Sequence, residues 1–240
     1  LGEILAMSHL SVRGTAALLI AALALAGCSR DSAGLERGAG GAALVKNGLG
    51  AVLPGKRASA ASAQAPDPAQ LAQAALASVK GPVLLATFES VGAPTVLGMV
   101  GENGTMRSYQ TPDQRGVMLR SGLLAGTRGY GRDLMSADTD AVARLIRARQ
   151  AGSAPRVQRY LDGNGVERPV PMTCTVTPGA SMTQDIAGIT YTGQQVAEHC
   201  EGSGAVVDNG YLVAADGRVL VSRQWVGPGL GYLVLQSLRD

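Results

Sequence analysis

The chain is poor in the residues that most often carry catalysis or bind metals, with two histidines and three cysteines in 240 residues. His9 lies beside an N-terminal apolar run, so His199 is the one histidine left for the remainder of the chain. A lone histidine does not supply a histidine-rich metal site, and it leaves a Ser-His-Asp triad without its usual assembly. We therefore expect no metal, no cofactor and no catalytic residues, and we interpret His199 as a surface or packing residue.

Strong charge is also missing. The formal net charge is +3, and the 21 basic residues form no basic run. Nucleic-acid-binding proteins carry clustered Lys and Arg, so we expect no nucleic acid as a partner. The glycine-rich stretches at 101–104 and 126–131 lack the Lys-Ser/Thr of a phosphate loop, and we interpret them as turns between strands.

Paired acids for glycoside hydrolysis are not evident from their spacing. Such an enzyme needs two carboxylates flanking a cleft. The candidate acids are scattered along the chain: Glu89, Glu102, Asp133, Asp208 and Asp216. We therefore expect the protein not to be an enzyme. A polysaccharide-modifying enzyme stays an alternative, which would require two of these acids to meet in the fold.

The N-terminus has the pattern of a bacterial lipoprotein signal. Arg13 precedes an apolar run at 15–26, which is shorter than the ~20 residues of a membrane span. The run ends in Leu-Ala-Gly-Cys, a lipobox that predicts residues 1–27 as a lipoprotein signal peptide and acylation of Cys28 by palmitate-type chains. The alternative is a plain signal peptide followed by a chance cysteine. Ser29 is not the aspartate that retains lipoproteins at the inner membrane, so we expect a lipid anchor in the outer membrane, on its periplasmic face.

Two further domain assignments follow. Residues 28–66 are rich in Ala, Gly and Ser, which predicts a lipidated flexible tether. Residues 67–240 predict a single β-rich domain. In an oxidising compartment Cys174 and Cys200 are expected to form a disulfide, worth about 3 kcal/mol on the chain-entropy model. The alternative is two buried free thiols.

Strand and turn signals dominate residues 67–240. The pairs Asn103-Gly104 and Asp216-Gly217 and the segment 162–165 predict hairpin turns. Two helices interrupt the strands, the first capped by Asp67 and the second by Asp138. The pattern predicts a mainly β fold, a large antiparallel meandering sheet curled into a sandwich- or barrel-like domain with about two short helices.

The segment 219–225 places an arginine within an apolar strand pattern. Alternation groups Arg223 with Val219, Val221 and Trp225 on the face that we interpret as buried. Aromatic faces stack on sugar rings and arginine pairs with carboxylates, so an acidic polysaccharide could be bound. The candidate ligand-binding residues are Tyr211, Arg223, Trp225 and Tyr232. The alternative is that Trp225 is core and Arg223 an inward arginine paired with Asp208 or Glu198.

Four segments together resemble the YjbF/GfcB family of bacterial lipoproteins, which is associated with exopolysaccharide and group 4 capsule production. They lie at 81–90, 122–138, 198–213 and 222–238, and the last, with Ser-Arg-Gln-Trp at 222–225, is the most specific. The resemblance runs from about Pro82 to Arg239. It departs at Tyr211-Leu212, where the family often has Tyr-Trp.

The resemblance implies a non-catalytic accessory or scaffold lipoprotein in exopolysaccharide or capsule assembly or export. Its implied partners are an outer-membrane β-barrel and periplasmic export proteins, and the family offers no catalytic residues to transfer. Two alternatives remain: a polysaccharide-binding or -modifying periplasmic protein, and a lipid- or lipoprotein-handling envelope factor. The last would require an apolar cavity in place of a filled core.

Overall fold

A computed structural model describes residues 66–240 of the chain. The predicted signal peptide, Cys28 and the predicted tether up to residue 65 lie outside the described residues. The described part contains two helices and one antiparallel sheet of twelve strands. The helices are α1 (Pro68–Ser78) and α2 (Asp140–Ala148). The strands are β1 (Val83–Phe88), β2 (Pro94–Asn103), β3 (Met106–Gln110), β4 (Gly116–Arg120), β5 (Leu123–Arg128), β6 (Ser136–Asp138), β7 (Gly152–Leu161), β8 (Glu167–Ile186), β9 (Ile189–Gly202), β10 (Ala205–Val213), β11 (Val219–Gly227) and β12 (Gly231–Arg239).

The chain enters the sheet in its middle. Strands β1 to β5 follow one another from the middle of the sheet to one end. Strand β6 lies at the other end, and β7 to β12 follow one another back to the middle, where β12 pairs with β1. The two ends of the sheet lie next to each other. The Thr127 amide of β5 donates to the carbonyl of Leu134, two residues before β6, at 2.9 Å. The sheet is nearly closed into a barrel, so the predicted mainly β, meandering fold is confirmed.

The predicted hairpin turns are confirmed. Asn103-Gly104 joins β2 to β3, residues 162–165 join β7 to β8, and Asp216-Gly217 joins β10 to β11. The turn from β4 to β5 has positive φ at both central residues, +52° at Ser121 and +86° at Gly122, as right-twisted two-residue hairpins prefer. A Cβ at Gly122 would lie 3.0 Å from the Val219 side chain, so this turn packs directly against β11.

The first helix begins as predicted and covers one face of the sheet. The Asp67 carboxylate accepts from the Ala69 amide at 3.0 Å, which satisfies a free amide of the first turn. Ala72 and Ala75 pack against a cluster that includes Val83 and Leu85 of β1. The alternate β1 residues point to the other side, into the barrel.

The second helix is shorter at both ends than predicted. Its N-cap is Thr139, while Asp138 ends β6 and pairs with Arg159 at 2.6 Å, so the predicted Asp138 cap is wrong. Arg149 closes the helix in the left-handed conformation with φ of +54°, and Gly152 already begins β7. Asp138 and Gly152, which local signals assign to the helix boundaries, are therefore strand residues of β6 and β7.

The barrel interior holds two apolar clusters. One joins Val142 and Ile146 of α2 to strands β7 to β11, and the other joins β1 to β5 with β12. Outside the barrel, the end of the long β8–β9 hairpin lies over β10 and β11, where Tyr191 packs with Leu212 and Val221. Burial raises the pKa of Tyr191 to about 12. Neither helix in residues 66–240 has the length and apolar character to cross a membrane.

Candidate functional site

A cluster of buried polar side chains lies inside the barrel, between the apolar clusters. It comprises Arg156 of β7, Glu198 of β9, Asn209 and Tyr211 of β10, and Gln224 of β11. Strand register places Glu198 directly opposite Asn209, and opposed residues of neighbouring strands share a face. All five residues are 3 % exposed or less, so the hydrogen bonds of their side chains come from other protein groups; Arg156 Nε and Nη2 have no partner among residues 66–240.

The centre of this cluster is an ion pair between Arg156 and Glu198. The Arg156 Nη1 atom lies 3.0 and 2.9 Å from the two carboxylate oxygens. The Tyr211 hydroxyl donates to Glu198 Oε2 at 2.6 Å, and the Asn209 amide donates to the same oxygen at 2.8 Å. Burial by itself lowers the pKa of Arg156, but the attraction and hydrogen bonds of Glu198 and Tyr211 together outweigh it, and the pKa is raised. Burial, and then the Glu198 charge, raises the pKa of Tyr211 well above its usual range.

The predicted disulfide is confirmed beside this cluster. Cys174 and Cys200 are bonded, lie opposite each other in the register of β8 and β9, and are both 0 % exposed. Their sulfurs and a Glu198 oxygen lie within 4.8 Å of one another, a spacing that a metal ion could also use. Bonded sulfurs are not thiolate ligands, and the Arg156 cation already neutralises the carboxylate, so we interpret the group as packing.

The cluster also connects distant parts of the sheet. Gln224 Oε1 accepts from the Leu124 amide of edge strand β5 at 2.7 Å, and Asn209 Oδ1 accepts from the Trp225 amide at 2.8 Å. From β7, the Gln158 amide donates to the Trp225 carbonyl at 3.2 Å. The sequence analysis did not predict the roles of Gln158, Asn209 and Gln224. Uncharged polar residues within apolar strands are the sequence pattern that indicates such buried hydrogen bonds.

Arg223 does not face this interior. The register pairs it with Gly210 and Val234, while its neighbours Ser222 and Gln224 are 3 % and 0 % exposed and point into the barrel. The Arg223 side chain is 16 % exposed. The interpretation of Arg223 as an inward arginine is therefore wrong.

The ion-pair partner of Arg223 is Glu89, just after β1. The guanidinium reaches both carboxylate oxygens, at 2.6 Å from Nε and 2.9 Å from Nη2. It also lies over the Tyr232 ring, 3.4 Å from the centroid. Asp208 contacts Arg223 only through its backbone carbonyl, at 3.2 Å from Nη1. Glu198 forms its ion pair with Arg156. The prediction of Asp208 or Glu198 as the partner is thus corrected. The bidentate carboxylate is that of Glu89, which is distant from Arg223 in the sequence.

The structure sets Tyr211 apart from the other three predicted ligand-binding residues. Tyr211 is 0 % exposed in the buried cluster, and Trp225 is 8 % exposed with its ring edge-on to Tyr160 at 6.2 Å. Arg223 lies over the Tyr232 ring, 3.4 Å from its centroid, and Tyr232 is the register partner of Trp225. The expectation of one surface formed by all four is therefore corrected, because Tyr211 presents no exposed ring. Ligand binding by Arg223, Trp225 and Tyr232 stays a prediction.

Each of the five candidate acids has a polar side-chain partner in the structure. His199 Nδ1 lies 2.5 Å from the buried carboxylate of Asp208, and its Nε2 lies 3.0 Å from Glu201. These two hydrogen bonds, the one to Asp208 first, raise the pKa of His199. The other candidate acids and their partners are Glu89 with Arg223, Glu102 with Arg107, Asp133 with Thr127, and Asp216 with Arg218.

A cavity of about 250 Å³ opens at the end of the barrel where the β2–β3, β4–β5 and β10–β11 turns lie. Its base consists of residues that are 8 % exposed or less, and its wall includes four hydroxyl side chains. The base residues are Leu84, Tyr109, Leu119 and Leu235, and the hydroxyl side chains are those of Thr105, Ser121, Ser222 and Ser237.

Three arginines from separate elements lie at the rim of this cavity: Arg107 of β3, Arg147 of α2 and Arg218 of the β10–β11 turn. Two lining carboxylates face them. Arg107 Nε lies 3.1 Å from Glu102, Arg107 Nη1 lies 3.8 Å from Asp240, and Arg218 is also paired with Asp240. The sequence reasoning missed this group, because no local pattern links arginines so far apart in the chain.

Residues 49–238 match the family model described as "Group 4 capsule polysaccharide lipoprotein gfcB, YjbF". The chain belongs to the YjbF family. The resemblance read from the four segments is therefore confirmed, and the match covers all of β1 to β11 and nearly all of β12.

The YjbF-family fold has a solved counterpart. The crystal structure of the hypothetical lipoprotein YmcC from Escherichia coli (K12) superposes with a TM-score of 0.61 at 17 % sequence identity, over 75 % of this chain and 98 % of that one. At this identity the likeness concerns the fold alone. The search of curated proteins found no match.

Proposed function

We propose that this YjbF-family protein is a lipid-anchored lipoprotein of the outer membrane that acts, without catalysis, as an accessory or scaffold in capsule polysaccharide assembly or export. The observation that carries the proposal is the family match over residues 49–238. The lipobox ending at Cys28 and the serine at position 29 support anchoring at the periplasmic face of the outer membrane. An outer-membrane β-barrel and periplasmic export proteins are the proposed partners.

The chemistry of the buried charges supports an accessory role. Glu198 accepts hydrogen bonds from Arg156, Tyr211 and Asn209, so its carboxylate is fully engaged inside the fold. A catalytic acid or base needs a free position that a substrate can reach. We therefore assign this pair to the stability of the barrel.

The filled interior favours this proposal over a lipid or lipoprotein carrier. In residues 66–240, the two apolar clusters and the buried polar cluster occupy the space between the strands. A carrier of acyl chains would instead need an apolar cavity large enough for them.

The test is the amount of extracellular polysaccharide in a deletion strain. We expect it to fall in the deletion and to recover with the wild-type chain but not with Cys28→Ala, which lacks the acylated thiol. Ser29→Asp provides a matched variant, since it keeps Cys28 and introduces the inner-membrane retention residue. We expect that variant to fractionate with the inner membrane and to restore little polysaccharide.

The outcomes separate the parts of the proposal. Unchanged polysaccharide in the deletion strain, under conditions that induce capsule, would contradict the role in assembly or export. Full restoration by Ser29→Asp, with the protein in the inner membrane, would contradict the outer-membrane location alone.

A further inference from the structure

We propose that the cavity at the end of the barrel binds an acidic saccharide, with a sugar carboxylate held between Arg107 and Arg218. The choice of a saccharide rests on the proposed function. The position and charge of the site rest on the structure: an arginine rim, a leucine base and a wall of hydroxyl groups in about 250 Å³.

The rim already holds one carboxylate in the required position. Asp240 is paired with Arg218, and its Oδ1 lies 3.8 Å from Arg107 Nη1, so both arginines form an ion pair with the same carboxylate. The side chain of Arg218 is 53 % exposed, that of Arg107 37 % and that of Asp240 31 %. Solvent therefore reaches the contacts of Asp240 with both arginines. Arginine recognises carboxylates through paired N–H donors. A ligand carboxylate can therefore replace Asp240 between the arginines.

Arg147 extends the positive rim from the side of α2. Its Nε donates to the Gly217 carbonyl at 3.0 Å, which holds the side chain against the turn that carries Arg218. Among the lining residues, the three arginines outnumber the two carboxylates of Glu102 and Asp240, while Asp216 pairs with Arg218 just outside the lining at 2.7 Å. Displacing Asp240 from the arginines makes the rim more positive, and this favours an anionic ligand.

The remainder of the cavity suits a sugar ring. The side chains of Thr105, Ser121 and Ser237 provide hydroxyl groups that both donate and accept, as sugar hydroxyls require. Leu119 and Leu235 at the base offer apolar contact for the C–H face of a ring. The volume is below the roughly 300–1,000 Å³ of pockets that enclose drug-sized ligands, which favours one end of a saccharide over a lipid with long acyl chains.

The test is binding of trigalacturonate to the purified protein, followed by calorimetry and by amide NMR shifts, with the neutral trisaccharide maltotriose as the matched reference. We expect the acidic probe to bind and to shift the amides of Ser121, Gly122 and Leu220, while maltotriose binds at least about 10-fold more weakly. Binding should weaken as salt is raised, because the rim is solvent-exposed.

Variants with opposite expected signs sharpen the test. Arg107→Gln and Arg218→Gln should each weaken trigalacturonate binding by about 10-fold, the loss of one charge-assisted contact. Asp240→Asn should strengthen binding, because the competing carboxylate is removed. Arg168→Gln is the matched control: this arginine also pairs with a nearby aspartate, Asp162 at 2.8 Å, but does not line the cavity. Unchanged melting temperatures would establish that the variants fold.

Several results would overturn the proposal. These are equal binding of both trisaccharides, no binding of either, shifts that centre on Tyr232 in place of the cavity, or tighter binding of lysophosphatidylglycerol than of trigalacturonate, which would assign the cavity to an anionic lipid. Failure here is distinct from failure of the proposed function. A deletion strain that loses polysaccharide but is rescued by Arg218→Gln retains the function without the site, and binding in vitro with unchanged polysaccharide in the deletion retains the site without the function.

Discussion

Replacing Arg156 with methionine should be among the most destabilising single changes in this domain. Among residues 66–240, the substitution removes the one cation that contacts Glu198, through hydrogen bonds of 3.0 and 2.9 Å, in a place where both side chains are 1 % exposed or less. Methionine fills much of the arginine volume but leaves a buried carboxylate without its counter-charge. Removing one partner of a buried pair typically costs about 3–5 kcal/mol, most of it from the remaining charge.

The magnitude sets the expected shift in melting temperature. A domain of this size loses about 2–4 °C per kcal/mol, so Arg156→Met should lower the melting temperature by about 6–20 °C. The double variant Arg156→Met with Glu198→Met should recover much of the loss, because no buried charge is then left unpaired. Thermal unfolding of the four proteins of this double-mutant cycle measures the melting temperatures, and urea denaturation with the disulfide intact measures the free energies of unfolding.

The matched control is Arg159→Met in the same strand. Arg159 pairs with Asp138 at 2.6 Å, but the Asp138 side chain is 65 % exposed, so solvent screens the pair. Surface pairs of this kind contribute about 0–1 kcal/mol. The reasoning would be refuted if Arg156→Met cost no more than Arg159→Met, or if the double variant were as unstable as the sum of its single changes.

Two further predictions concern the other face of the sheet. Arg223→Gln should lower the free energy of unfolding by about 1–2 kcal/mol, since it removes the partly exposed pair with Glu89 and the cation–π contact with Tyr232; a loss below about 0.3 kcal/mol in urea denaturation would contradict it. His199 has a pKa raised above 6.5 in the folded protein, first by its hydrogen bond to Asp208, so its contribution is fully present below pH 6.5 and is lost as the pH rises through the folded pKa. Melting temperatures should therefore fall modestly above neutral pH in the wild type and less in His199→Gln; identical pH profiles would contradict this.

Local chemistry was enough to predict much of the fold. The turn at Asn103-Gly104, the cap at Asp67 and the strand-rich pattern depend on residues close together in the sequence, and the structure has all three. The disulfide was predictable for a different reason. With Cys28 assigned to the lipobox, Cys174 and Cys200 were the remaining cysteines, so their pairing needed no knowledge of the register.

Which arginine is buried was decided by the tertiary structure alone. Alternation shows that Arg223 and Gln224 lie on opposite faces of β11, but not which face is inside. The long β8–β9 hairpin covers the outer face, so Val221 there is 1 % exposed while Gln224 inside is 0 % exposed. When both faces of a strand are covered, apolar residues no longer mark the interior. The partners of Arg156 and Arg223, and the arginines of the cavity rim, come from elements far apart in the sequence that the folded sheet brings together.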